Sequence, residues 1–198
     1  MLSSISPLGE RARRARWGLT VAAYLVGSIV GGVAAGTACA LVGALVPATW
    51  RASTPAALAV AGAVVVGLVL DVRSRGGGPP SWRRQVDDAW LGRYRGWVYG
   101  LGFGVQLGAG VVTIVTSSTV YAVLLLAGWS GEVRVGVALG ATFGLTRALP
   151  VLSVRGVRTP GDLRRLFGRV ERWARPVDRV ARGSLVVAAL VVAGAGWS

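Results

Sequence analysis

Two stretches of this sequence, 17–46 and 97–128, contain no charged side chain at all. As α-helices rising about 1.5 Å per residue, each would measure roughly 45 Å, which exceeds the ~30 Å hydrocarbon core of a bilayer. Charged residues make up 15% of the chain, well below the ~25% of soluble domains. The sequence therefore predicts an integral membrane protein, and its length leaves no room for a separate catalytic domain.

Three further apolar stretches complete the pattern, so we expect an all-α, polytopic membrane protein with about five transmembrane helices. The whole chain, 1–198, is expected to form a single integral membrane domain. The first stretch is too long for a signal peptide, whose apolar part has about 7–15 residues. The expected spans are 17–46, 55–70, 97–128, 135–152 and 183–197.

Two Arg-rich amphipathic segments lie between the spans. The first, within 72–95, follows a Gly-Pro run that ends any helix, and Ser81 then predicts the start of a short interfacial helix. The second predicts a surface helix over 161–180, which Pro176 kinks or splits. Its apolar face comprises Leu163, Leu166, Phe167, Val170, Trp173, Val177 and Val180.

The arginines also predict the topology. Short cytoplasmic loops collect basic residues, and two spans separate each consecutive pair of Arg-rich segments. We therefore expect a multi-pass protein of the bacterial plasma membrane, with a cytoplasmic N-terminus and an outer C-terminus. The expected partners are anionic lipid headgroups and other membrane or envelope proteins, and not nucleic acid. The bacterial assignment comes from exclusive use of arginine together with abundant alanine, glycine and valine.

The excess length of the first and third stretches, with their many glycines, predicts helix breaks near 31–39 and 108–118. Paired broken helices around a midplane site are typical of transporters. The alternative is that glycines four residues apart let neighbouring helices approach closely.

Segments 102–115 (GFGVQLGAGVVTIV) and 143–150 (FGLTRALP) resemble the second half of the membrane thiol-reductase family that includes CcdA and the transmembrane region of DsbD. Segment 36–39 (GTAC) resembles the first half. The resemblance implies two inverted halves of three helices. It also implies that a cysteine in the first helix of each half carries electrons from cytoplasmic thioredoxin to acceptors outside.

This chain departs from that pattern because Cys39 is its single cysteine. Thiol exchange requires an attacking thiolate and a second sulfur, so the relay is not available to one chain alone. The prolines that flank the family's cysteines are missing as well. The resemblance thus points to a degenerate member that lacks the cysteine pair and has a changed role.

Three residues are candidates for function: Cys39, Gln106 and Arg147. Cys39 is either a small buried apolar residue or a redox thiol. Gln106 either makes a packing hydrogen bond or lines a polar cavity. Arg147 either snorkels to the cytoplasmic headgroups or forms an ion pair with a substrate or partner. The residues suggest no metal ligand set and no cofactor motif.

The preferred hypothesis is a non-catalytic membrane subunit or assembly factor, in an envelope redox or cofactor-maturation pathway. The alternative is a small-solute transporter with paired broken helices. A single-cysteine redox protein working with a second thiol partner is a third option. Nothing in the sequence argues positively for an enzyme.

Overall fold

The structure, a computed structural model, describes residues 6–12, 16–73, 94–110 and 117–195. Within these ranges every regular element is a helix, as expected of an all-α chain. Three helical stretches are long and apolar enough to cross a membrane: Trp17–Ala44, Thr54–Arg73 and Val133–Gly156. The elements are α1 (Pro7–Ala12), α2 (Trp17–Ala44), α3 (Ala48–Arg51), α4 (Thr54–Arg73), α5 (Gly96–Ala109), α6 (Thr119–Ser130), α7 (Val133–Ala148), a 3₁₀ helix η1 (Leu149–Gly156) and α8 (Pro160–Ala195).

Helix α2 is the centre of the bundle, and its backbone touches that of α7 directly. A Cβ placed on Gly32 would lie 2.1 Å from the carbonyl oxygen of Gly140, and one on Gly36 would lie 2.2 Å from that of Gly136. Both distances are far below any real carbon–oxygen contact, so the interface requires glycine on both helices. The residue numbers rise on one helix as they fall on the other, and α2 and α7 are therefore antiparallel.

Helix α5 packs against another face of α2, again through glycines that lie against the partner's backbone. A Cβ on Gly104 would lie 2.2 Å from the Tyr24 carbonyl oxygen, and one on Gly108 would lie 1.9 Å from that of Ser28. Here the numbers rise together, so α2 and α5 run parallel. Ser28 lies where the three helices meet, and its hydroxyl donates to the Gly144 carbonyl at 2.8 Å.

These contacts distinguish the two interpretations of the glycines, which were helix breaks and close packing of neighbouring helices. The predicted break at 31–39 is wrong, because α2 is one uninterrupted helix and its glycines pack against α5 and α7. The predicted interruption of the third stretch is confirmed. Helix α5 ends at Ala109, Gly110 adopts a left-handed φ of 74°, and α6 begins only at Thr119. Residues 111–116 lie outside the described ranges.

The predicted surface helix over 161–180 and the predicted last span are not separate elements. They form the single helix α8, which continues through Pro176. In its second half, Leu185 packs with Val64 of α4, and Val192 packs with Ala57. The two helices are therefore antiparallel. The interfacial helix predicted from Ser81 falls outside the described residues.

The first turn of α8 is held by Asp162. Its carboxylate accepts hydrogen bonds from the amide of Arg158 at 3.1 Å and from the amide and hydroxyl of Thr159, both at 2.9 Å. It also pairs with Arg165 at 2.7 Å. The Arg158 amide is the largest contribution that lowers the pKa of Asp162 to about 2, followed by the Thr159 hydroxyl and Arg165.

This geometry predicts a local acid-induced change. The folded pKa lies below the ~3.9 of an unfolded aspartate, so the stabilisation is complete above about pH 4. It is lost as the pH falls through 2. We expect the protection factor of the Thr159 amide, its exchange rate compared with the intrinsic rate at the same pH, to fall over this window, and Asp162→Asn to abolish the dependence. Asp178→Asn, further along the same helix, should leave it in place. A dependence unchanged by Asp162→Asn would contradict this role.

At the opposite end of the bundle, Arg51 links the segment between α2 and α4 to the segment between α6 and α7. Its Nε donates to the Val46 carbonyl at 3.1 Å, and its Nη1 donates to the carbonyls of Trp129 and Ser130. The Trp129 indole returns a hydrogen bond to the Arg51 carbonyl at 2.9 Å. The guanidinium thereby satisfies carbonyls at the C-terminal end of α6, where a positive charge is favourable.

Candidate functional site

The three residues singled out from the sequence do not form one site. Cys39 is half-buried and lines an apolar groove of about 470 Å³ together with Trp50 and Trp129. Arg147 lies near Tyr24 of α2, 15 residues before Cys39, which corresponds to roughly 22 Å along the helix. Gln106 is half-buried on α5, beside Val105, whose carbonyl approaches Gly31. Cys39 and Arg147 are therefore too far apart to contact one small substrate.

The setting of Cys39 is that of a small apolar residue. The groove around it is lined by aliphatic and aromatic side chains, with Arg51 as its single charged member. The Arg51 guanidinium is already engaged with backbone carbonyls. A thiolate gains stability mainly from nearby positive charge or helix N-termini, and the one positive charge in this lining is committed to those carbonyls.

A buried carboxylate of α4, which the sequence analysis did not predict as a functional group, lies beside the interruption between α5 and α6. Asp71 is 6% exposed and lies inside α4, which continues to Arg73. It accepts hydrogen bonds from the Ser118 amide at 2.8 Å, the Ser118 hydroxyl at 2.8 Å and the Ser117 hydroxyl at 3.0 Å. A negative charge is favourable at this N-terminal end of α6. The signal in the sequence is an acid that directly follows the predicted span 55–70.

A second buried carboxylate fastens the N-terminal helix to the bundle. Glu10 of α1 is fully buried and accepts hydrogen bonds from the Thr20 hydroxyl of α2 at 2.8 Å and from the Tyr99 hydroxyl of α5. The signal in the sequence is an acid directly before the arginines of 11–16. Glu10 and Asp71 therefore fix elements distant in sequence.

The first half of α8 presents a surface that none of the described residues covers, which we call the α8 arm, residues 167–182. Its apolar side chains follow one another at intervals of three or four residues and are all exposed, from 42% at Val170 to 73% at Val180. The apolar members are Phe167, Val170, Trp173, Val177 and Val180. The basic members are Arg169, Arg172, Arg175, Arg179 and Arg182.

The arm is anchored at both ends. Leu166, just before it, is buried against Val151, Val154 and Val157 around η1. Leu185, just after it, is buried against α4. The intervening apolar stripe therefore lies exposed between two buried contacts, and exposed apolar patches mark sites of contact with proteins or membranes.

Within the described residues, no group of three His, Cys, Asp or Glu side chains is arranged to hold a metal ion. Comparison with protein families, with curated proteins and with solved structures gives no match to this chain. The α8 arm and the buried polar contacts are therefore the features from which a function can be inferred.

Proposed function

We propose that this protein is a non-catalytic integral membrane subunit or assembly factor. It crosses the bacterial plasma membrane five times with its N-terminus in the cytoplasm, and it docks a partner protein on the α8 arm. The observation that carries the proposal is the continuity of α8, which joins an exposed basic and apolar half to a half packed on the bundle.

The helix directions support five crossings. Helix α2 is antiparallel to α7 and parallel to α5, and α4 is antiparallel to α8. If α5 and α6 together make the third crossing, successive crossings alternate in direction along the chain. The Arg-rich segments then lie on one side, as the positive-inside rule requires.

The arm continues past the point on α8 that faces the end of α4. Leu185 packs beside Val64, and α4 ends nine residues later at Arg73. The corresponding position on the antiparallel α8 is near 176, so roughly 24 Å of helix precedes it. Phe167, Val170 and Trp173 lie on this part of α8, whose start packs through Leu166 on η1, and their side chains are exposed.

The chemistry of the arm supports one kind of partner. Apolar side chains spaced three and four residues apart on one helix fit a hydrophobic groove, and flanking arginines favour acidic groups at its rim. Near the base of the arm, Arg179 and Arg182 are placed to meet anionic headgroups. The resemblance to the membrane thiol-reductase family would assign the complex to an envelope redox or cofactor-maturation pathway, without an electron relay through this chain.

The test is replacement of Phe167 and Trp173 by aspartate in tagged protein purified from its host membrane. Two central apolar contacts are each expected to contribute more than ~1 kcal/mol, so stoichiometric partner should fall by about tenfold or more. The matched control, Phe167→Leu with Trp173→Leu, keeps the apolar stripe and should retain the partner. A photo-crosslinking residue at 177 that labels only phospholipid in the wild-type protein would contradict the proposal.

The second candidate function is small-solute transport, and the interruption beside Asp71 favours it. A broken crossing next to an intramembrane carboxylate is typical of transporter binding sites. Only one of the two expected breaks is present, since α2 is continuous. Uptake by the purified protein in proteoliposomes that is lost in Asp71→Asn would favour transport over the subunit role.

A further inference from the structure

The apolar groove that contains Cys39 opens at the end of the bundle where α2 and α6 end and α4 begins. Its walls reach equally far along the three helices. Ala38 lies six residues before the end of α2, Val60 six residues after the start of α4, and Leu124 six residues before the end of α6. Six residues of helix measure about 9 Å. The groove therefore runs along the helix axes from their ends toward the middle of the bundle.

The groove lies on the surface of the bundle and does not pass through it. A Cβ on Gly43 would clash with the carbonyl of Gly128, so the backbones of α2 and α6 touch where these glycines line the groove. Trp129 is fixed on the other side, because it packs in the cluster of Ala57 and its indole donates to the Arg51 carbonyl at 2.9 Å. The groove is thus open only to the surroundings of the helices.

The Arg51 guanidinium lies at the mouth of this groove and has a nitrogen left for a ligand. The backbone carbonyls occupy its Nε and Nη1, whereas its Nη2 makes no hydrogen bond within the described residues. This nitrogen reaches the surface, because the buried side-chain nitrogens without a partner in the described ranges belong to Arg147 and Arg182. An anion outside the bundle can therefore reach Arg51.

The chain's own acids leave this position open. Among the acids that the structure describes, Glu132 alone lies at this end of the bundle, since the others lie beside the start of α2, at the end of α4 or in the first half of α8. Glu132 is exposed, and no ion pair joins it to Arg51. Asp87 and Asp88 fall outside the described residues, and the chain that tethers them to Tyr94 at the opposite end spans at most ~25 Å, less than the ~42 Å length of α2.

We propose that the groove binds one phospholipid, with an acyl chain between α2, α4 and α6 and the phosphate on Arg51. The lining suits an apolar chain and the mouth suits an anion, and a phospholipid carries both in that order. Trp50, which is 59% exposed, and Trp129 border the same groove, and tryptophans are enriched at the level of the headgroups. Arginine binds phosphate through charge-assisted hydrogen bonds. The inference rests on the membrane crossings of the proposed function and not on the α8 arm.

The first test uses purified protein in nanodiscs and a phospholipid with a photoreactive group in the upper half of one acyl chain. We expect adducts on the α6 wall, 124–129. Val42→Trp fills the groove from an exposed position and should reduce these adducts about tenfold. Val26→Trp, also exposed on α2 but outside the groove, should leave them unchanged. Equal adduct yields in the two variants would overturn the inference.

The second test replaces the phospholipid by a diacylglycerol with the same photoreactive chain, which lacks the phosphate. Loss of a hydrogen bond to a charged group should lower the adduct yield at 124–129 about tenfold. Glu132→Gln should leave the difference between the two lipids unchanged. Equal yields from the two lipids would overturn the phosphate contact. A difference that changes in Glu132→Gln would show that Glu132 occupies the guanidinium and would also overturn it.

The third test identifies the occupant in host membranes, with a photo-crosslinking residue at Leu125, which lines the groove and is 37% exposed. We expect an adduct with phospholipid. An adduct with a polypeptide, either another protein or another segment of this chain, would overturn the inference. Replacement of Phe167 and Trp173 by aspartate should leave the lipid adduct unchanged, so a failure of the arm proposal is distinguishable from a failure of this one.

Discussion

Replacing Asp71 by leucine is expected to destabilise the protein by about 3 kcal/mol. The Ser118 amide would lose its acceptor inside the bundle, whereas the hydroxyls of Ser118 and Ser117 keep a second partner, the Gly67 carbonyl and the Thr119 hydroxyl. A buried donor left unpaired costs roughly 1–3 kcal/mol. The free energy of unfolding in mixed micelles, followed by circular dichroism, measures the loss.

Two variants separate this loss from a general effect of removing an acid. Asp71→Asn keeps one acceptor oxygen and should cost roughly 1 kcal/mol, the value of a typical hydrogen bond. Asp178→Leu removes a carboxylate from the exposed part of α8 and should change stability by less than about 0.5 kcal/mol. Equal losses in Asp71→Leu and Asp178→Leu would mean that the contact to α6 contributes little.

Replacing Gly140 by alanine is expected to destabilise the bundle by about 2 kcal/mol. The new methyl group would lie 2.1 Å from the Gly32 carbonyl oxygen, and neither helix backbone can yield locally. Overpacking of this kind costs roughly 1–3 kcal/mol or more, which outweighs the ~1 kcal/mol that alanine gains over glycine in a helix. Separation of α2 from α7 would also lengthen the hydrogen bond from Ser28 to Gly144.

The matched control is Gly62→Ala in α4, where a Cβ meets nothing within 4 Å. That substitution should be neutral or stabilise the protein by up to ~1 kcal/mol, since only helix propensity changes. The same unfolding measurement applies to both variants. If Gly140→Ala proves as stable as Gly62→Ala, the close approach of α2 and α7 is not a determinant of the fold.

Hydropathy was sufficient to predict the helical class and the long apolar helices, because those properties depend on residues adjacent in the chain. The glycines were ambiguous for a physical reason. Gly32 and Gly110 are the same residue type, yet Gly32 allows the backbone of α7 to approach closely and Gly110 adopts a left-handed φ. Which role applies depends on the backbone that packs against each one, and the local sequence does not contain that information.

The buried carboxylates were missed for a similar reason. Asp71 is bound by a residue 47 positions away, and Glu10 by one 89 positions away. In the sequence each looks like a charge that marks the end of an apolar stretch. Likewise, the amphipathic pattern of the α8 arm was predicted, but its fusion with the last apolar stretch was not, because proline at 176 normally interrupts a helix.

The glycine contacts of α2 have a consequence for how the protein is made. Helix α2 is complete at Ala44, but its partner α7 begins only at Val133. At a synthesis rate of ~5–20 residues per second, the first helix waits on the order of 5–20 s for that partner. During this time the face with Gly32 and Gly36 is not covered by α7. Biogenesis of this chain therefore includes an interval in which its central helix is complete but unassembled, and a quality-control protease would meet that intermediate.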